Sequence, residues 1–162
     1  MLIRLFSIFL LLNESFAFLP FQNNQLSRNR IISSSHFSTV NTVIKEKDLL
    51  IKSLEDLNIQ VLDTPQIIKD YDGREVQSHI TIKQNNGQNI GFISNGKTYE
   101  LIADLQFWDQ TVPVEVFLER ITQRYSLNCV LESAEEEGFN TEYLKVNQDT
   151  GTIEIELSRY DY

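Results

Sequence analysis

The chain has 162 residues, 41% hydrophobic and 23% charged, with a formal net charge of −9. That is enough for one globular domain with something attached. The charge is uneven: residues 1–35 carry Arg4, Arg28 and Arg30 against Glu14, a net of +2, and the remainder stands at −11. So acidic a body repels phosphate backbones, and nucleic acid is not expected as a partner. The single cysteine, Cys129, excludes an intramolecular disulfide and a cysteine-based structural zinc site.

The N-terminal part reads as an address. Arg4 gives a positive start, and Leu5 to Leu12 is apolar apart from Ser7. This run is far short of the roughly 20 residues that span a bilayer. Ser15-Phe16-Ala17 then places small residues at −3 and −1 of a cut after Ala17, so residues 1–17 have the layout of a signal peptide. No acidic residue occurs between Glu14 and Glu46, while Arg28, Arg30, Ser27, Ser33, Ser34 and Ser35 do. Residues 18–34 thus have the composition of a disordered, transit-peptide-like segment. With Phe18 directly after the cut, the two parts together resemble the bipartite plastid presequence of diatoms and related algae. The resemblance implies delivery to the chloroplast stroma, with no stable membrane insertion of the mature form. The alternative is a secreted protein. One cysteine and the lack of an Asn-x-Ser/Thr acceptor in the body argue against it.

Residues 35–162 are expected to form a single α+β domain. From His36 to Ile44 the β-branched and aromatic residues predict a strand. Lys47 to Leu57 places Leu49, Leu50, Leu54 and Leu57 at helical spacing, with Asn58 as the stop. Residues 59–62 predict a short strand, and 63–73 a turn-rich loop. Glu75 to Lys83 alternates as one strand. Asn86-Gly87 and Asn95-Gly96 then predict two type I′ turns, hence a three-stranded antiparallel meander. Its last strand is expected to run from Lys97 to Trp108, with Tyr99, Leu101, Ala103, Leu105 and Phe107 sharing the core face. Thr111 and Pro113 suit a helix start, and Val114, Phe117, Leu118, Ile121 and Tyr125 make its apolar stripe. The stripe shifts phase after Leu127, which predicts a bend or a second helix near residues 126–128. Glu135, Glu136 and Glu137 read as a solvated face and Gly138 as a left-handed stop. A hairpin turning near Asp149–Gly151 closes the chain.

These elements carry a resemblance. Ser35-His36-Phe37-Ser38, the Leu49–Leu57 helix, Gly91-Phe92, residues 95–101, residues 103–108, Phe117-Leu118 and Ile121-Thr122-Gln123-Arg124-Tyr125 resemble the family called hypothetical chloroplast reading frame thirty-five, of cyanobacteria and plastid genomes. The match covers about residues 35–160. It implies a plastid or cyanobacterial setting and assigns no biochemical activity; with the leader, it implies a nuclear-encoded copy returned to its organelle.

Candidate chemistry is sparse. His36 and His79, with Glu100 and Asp104, supply ligand types that zinc or iron accepts, but their spacing matches no metal motif, and surface or capping histidines are the simpler reading. Asp104, Gln106 and Asp109 beside Trp108 offer a contact cluster at a strand end, against the plainer reading of a polar helix-entry loop. Arg120 and Arg124 lie four apart on the main helix with Glu119 and Gln123. They serve solvation or, more sharply, a docking face that grips a carboxylate. Cys129 reads as a small core residue. No phosphate loop, G-x-S-x-G or CxxC occurs, so no catalytic residue and no cofactor is nominated. The expected function is a non-enzymatic stromal accessory or assembly factor that binds a plastid protein through Asp104, Gln106, Trp108, Arg120, Arg124 and His36. The alternative is a small metal- or ligand-binding protein or enzyme using Asp104, Gln106 and His36.

Overall fold

The computed structural model describes residues 3–10, 37–147 and 152–160. His36 and the turn expected at 149–151 lie outside the described residues. In chain order the elements are β1 (Ile3–Leu10), β2 (Phe37–Asn41), α1 (Lys47–Asp56), β3 (Val61–Leu62), β4 (Gln66–Lys69) and β5 (Glu75–Ser78). They continue with β6 (Ile80–Ile82), β7 (Ile90–Ser94), β8 (Tyr99–Asp104), a 3-10 turn (Leu105–Phe107), α2 (Val114–Glu136), β9 (Asn140–Val146) and β10 (Ile153–Tyr160). The fold class is α+β. The chain divides into two compact units, Ile31–Asn128, and Met1–Arg30 with Cys129–Tyr162.

The unit Ile31–Asn128 is built on a five-stranded sheet of order β2-β8-β7-β6-β3, antiparallel at every pairing. Strands β6, β7 and β8 are the expected meander. Their turns, however, are not type I′, which needs positive φ at both central residues. Gly87 and Gly96 take φ of +79° and +87°, whereas neither asparagine is left-handed. The asparagines act through their side chains instead. Asn95 Oδ1 accepts from the backbone N–H groups of Lys97 and Thr98, both at 2.9 Å, and Asn86 Oδ1 from that of Gln88 at 2.9 Å.

Ile80, Ile90, Phe92 and Leu101 from the sheet, Leu50 and Leu54 from α1, and Ile121 from α2 are completely buried. Two polar contacts fix the helices. The Tyr125 hydroxyl oxygen accepts the backbone N–H groups of Lys45 (3.2 Å) and Glu46 (3.1 Å). It thereby serves the start of α1, where Glu46 provides no side-chain cap. Buried Asn128 donates through Nδ2 to Ser53 Oγ (3.0 Å) and Asp56 Oδ2 (3.1 Å), tying α2 to α1. Asn58 ends α1 with φ of +59°, as its position suggested.

Four expectations are corrected here. Within the expected loop 63–73, Gln66–Lys69 forms β4, paired with β5 in a separate two-stranded sheet. Space for it comes from Gly91, where a Cβ would lie 2.7 Å from Ser78 Cβ and 2.9 Å from Ile68 Cδ1. The strand expected over 75–83 is broken at His79 into β5 and β6, and Ile80, Thr81 and Ile82 are all buried. With both faces covered, alternation no longer marks an outer side. Strand β8 ends at Asp104 rather than Trp108. Helix α2 runs unbroken for 23 residues through 126–128, and Ser126 bonds back to the Thr122 carbonyl at 2.9 Å without interrupting it.

In the other unit β1, β10 and β9 form an antiparallel sheet in that order. Ile3 stands opposite Tyr160, and Leu10 opposite Ile153; the segment read as the apolar part of a signal peptide is thus a strand over these residues. Ile153, Ile155 and Leu157 are buried, and the pairing of β10 with β9 carries an irregularity at Glu156/Leu157. The end of α2 is closed by Gly138 at φ +77°, with Gly138 N–H bonded to Glu135 O (3.0 Å) and Phe139 N–H to Ala134 O (2.8 Å). This is the Schellman arrangement. The Arg159 guanidinium lies 4.9 Å above the Phe139 ring. None of the described helices is long and apolar enough to cross a membrane.

Candidate functional site

The most unusual local structure follows β8. Asp104 is only 4% exposed. One carboxylate oxygen accepts the Gln106 backbone N–H at 3.1 Å, and the other accepts that of Tyr71 at 3.3 Å. The first contact starts a 3-10 turn, as a carboxylate does at a helix N-cap, and turns the chain out of the sheet. Leu105 therefore leaves the core face on which alternation placed it and is 39% exposed. Phe107, half-buried, stacks on Tyr71 with centroids 5.0 Å apart and planes at 16°. Tyr71, at the tip between β4 and β5, is itself 67% exposed.

The segment after the turn is held by side chains. Buried Gln84 receives the Asp109 backbone N–H on Oε1 at 2.7 Å and donates through Nε2 to Phe107 O at 3.3 Å. Asn86 Nδ2 donates to the same carbonyl at 2.7 Å. Trp108 donates its indole N–H to Val112 O at 2.8 Å and meets Phe117 edge-on, 5.2 Å between centroids at 84°. Gln84 and Trp108 are thus anchors, and the groups that face outward are Leu105, Gln106 and Tyr71.

Of the residues chosen from sequence, Asp104, Gln106 and Trp108 occupy this one segment. Arg120 is exposed and Arg124 half-buried on α2. Among the described residues neither guanidinium has an ion-pair or hydrogen-bond partner. His36 lies outside the described residues. His79, Glu100 and Asp104 do not come together. His79 Nδ1 accepts the Ser94 N–H at 3.1 Å, and Glu100 accepts from Asn95 Nδ2 at 2.5 Å. Among the described residues no three His, Cys, Asp or Glu side chains converge as a metal site would need. Cys129 is a half-buried free thiol. Sequence reasoning missed Tyr71, Asp70 and Gln84; an aromatic residue inside Asp70-Tyr71-Asp72-Gly73 was the available signal for the first two.

Comparison with known proteins places this geometry in a family. The family model described as "Protein of unknown function (DUF1257)" matches residues 53–155. An uncharacterized protein ycf35 of Guillardia theta is 43% identical over 126 residues, covering 78% of this chain and 98% of the relative. Those of Cyanophora paradoxa and Pyropia yezoensis are 38% and 34% identical over 128 residues, covering 79% of this chain and 99% of each relative. No solved structure matches. The chain belongs to the DUF1257 family and is similar in sequence to its ycf35 relatives over nearly their whole length.

Proposed function

We propose that the protein is a non-enzymatic accessory or assembly factor of the plastid stroma, working by binding a protein partner through the surface that Tyr71, Leu105 and Phe107 present. The observation that carries this reading is the largely exposed Tyr71 stacked on Phe107, with Leu105 exposed in the same 3-10 turn as Phe107. A large aromatic group held rigid in water loses little entropy on docking and desolvates a large area. Such residues dominate binding at interfaces. Arg124 and Arg120, unpaired among the described residues, are available for a carboxylate on the partner.

The plastid setting is supported by the ycf35 relatives of algae and by the leader composition. Roughly a fifth of this chain lies outside the match to relatives covered almost end to end, a share large enough to hold residues 1–34. Affinity purification from plastid extract in mild salt is expected to return a partner in stoichiometric amount. Tyr71→Ala should lower its recovery at least about tenfold, the loss typical of a central anchor. Recovery of the monomer alone would count against partner binding. A mature form beginning at Phe18 and found outside the cell would count against plastid delivery.

A further inference from the structure

We infer that Asp70 and Asp104 together hold a hard divalent cation, Mg²⁺ or Ca²⁺, at the Tyr71 backbone. Asp70 is 3% exposed and Asp104 4%. Asp70 Oδ1 accepts the Arg74 backbone N–H at 2.8 Å, while Oδ2 is buried without a hydrogen-bond partner among the described residues. The two residues meet at one amide: the N–H of Tyr71, which directly follows Asp70, donates to Asp104 Oδ2 at 3.3 Å. Among the described residues neither carboxylate faces a lysine or arginine in an ion pair.

Two carboxylates taken out of water on segments joined through the Tyr71 N–H need positive charge. A single buried carboxylate without compensation is already costly, and a like charge nearby adds repulsion. A main-chain N–H on one oxygen of Asp70 leaves the other uncompensated. Because among the described residues no third His, Cys, Asp or Glu joins them, the protein would contribute two carboxylates, with main-chain carbonyls and water completing the shell. That donor set is all oxygen. It suits Mg²⁺, which keeps several waters and takes one or two carboxylates, or Ca²⁺, which accepts carbonyls and water readily. The nitrogen and sulfur ligands that select structural zinc are not part of it. The strongly acidic body raises the local cation concentration. An ion here would tie the β4–β5 tip to the 3-10 turn and so hold Tyr71 against Phe107. The inference stands apart from partner binding, since an ion is taken up with or without a partner.

The full chain, stripped with chelator, is titrated with MgCl₂ and CaCl₂ by calorimetry and thermal unfolding, with NaCl at matched ionic strength as control. One site per chain is expected, with Tm raised by about 5 °C or more at a hundredfold excess over Kd. Asp70→Asn, which keeps an acceptor for the Arg74 N–H, should abolish the rise, and Asp104→Asn should weaken binding at least tenfold. The exposed Asp109→Asn should leave it unchanged. A second readout needs no aspartate variant. Terbium bound here should luminesce through Tyr71, and Tyr71→Leu should cut the emission severalfold. The inference is overturned if neither ion shifts the wild-type Tm beyond NaCl, if both aspartate variants keep the shift, or if terbium emission ignores Tyr71→Leu. An Asp70→Asn variant as stable as the wild type, with no ion taken up by the wild type, would likewise mean that Asp70 holds no cation.

Discussion

Strand β8 and the three residues after it carry one unbroken apolar alternation, Tyr99 to Phe107, yet the two halves are held by different physics. Tyr99, Leu101 and Ala103 are buried, and the backbone around them is laddered on both sides, to β2 and to β7. Leu105 and Phe107 sit in a turn, partly in water, and their backbone is held by the side chains of Asp104, Gln84 and Asn86. Alternation measures only the chance to bury a face. A carboxylate that can accept the N–H two residues ahead offers the backbone a competing arrangement, and here it prevails. The outcome is that two large apolar groups prepared for a core are set at the surface, with Tyr71 added to them.

The sharpest way to break this contrast is to truncate the same residue type in each half. Leu101→Ala removes a completely buried side chain and should cost about 2–5 kcal/mol. Leu105→Ala should stay within about 0.5 kcal/mol, as surface changes do. Urea unfolding of both variants reads the difference directly. Equal losses would mean that Leu105 is core after all, and the docking surface would lose a member.

Gln84→Ala tests the other half. It removes the acceptor of the part-buried Asp109 N–H and one of the two donors to Phe107 O, Asn86 being the other. The expected cost is about 1–3 kcal/mol. Since Trp108 is the sole tryptophan and lies within the segment so released, its fluorescence should become more accessible to iodide before global unfolding. A stability loss with unaltered quenching would show that Gln84 supports the β6–β7 turn and not the segment after β8.

How much of this was readable beforehand follows from the same physics. The meander was legible because Asn86-Gly87 and Asn95-Gly96 punctuate strands on a scale of a few residues, although the asparagines use their side chains and not their backbones. Leu49, Leu50 and Leu54 marked α1 because one face of it meets a core and the other meets water. Strand β4 was hidden because only Ile68 of it is fully buried, so its short pattern reads like the turns around it. Continuous α2 was hidden because its apolar stripe changes phase where the chain passes from one compact unit into the other, which in sequence looks like a break. Asp104 and Trp108 stood out by residue type. Tyr71 and Gln84 did not, because the groups they bond to, Asp104 and Asp109, lie 33 and 25 positions away.

The weakest contact completes the series and tests whether burial sets the order. Lys47 pairs with Asp63, both side chains well exposed at 38% and 51%, in contrast to Gln84. The hydrogen bond to Asp63 raises the Lys47 ammonium above its ordinary 10.5; desolvation works the other way, and the Asp63 charge adds to the rise. A folded value above the unfolded one means the stabilisation is complete below the unfolded lysine value and is lost as pH climbs through the folded one. Lys47→Met should therefore cost no more than about 0.5 kcal/mol at neutral pH, the same at pH 9, and less again as the solution is made more alkaline than 10.5. High salt should remove most of it. If this variant proved costlier than Gln84→Ala, exposure would not be what separates strong polar contacts from weak ones in this molecule, and the contrast between the two halves of the β8 stretch would need another cause.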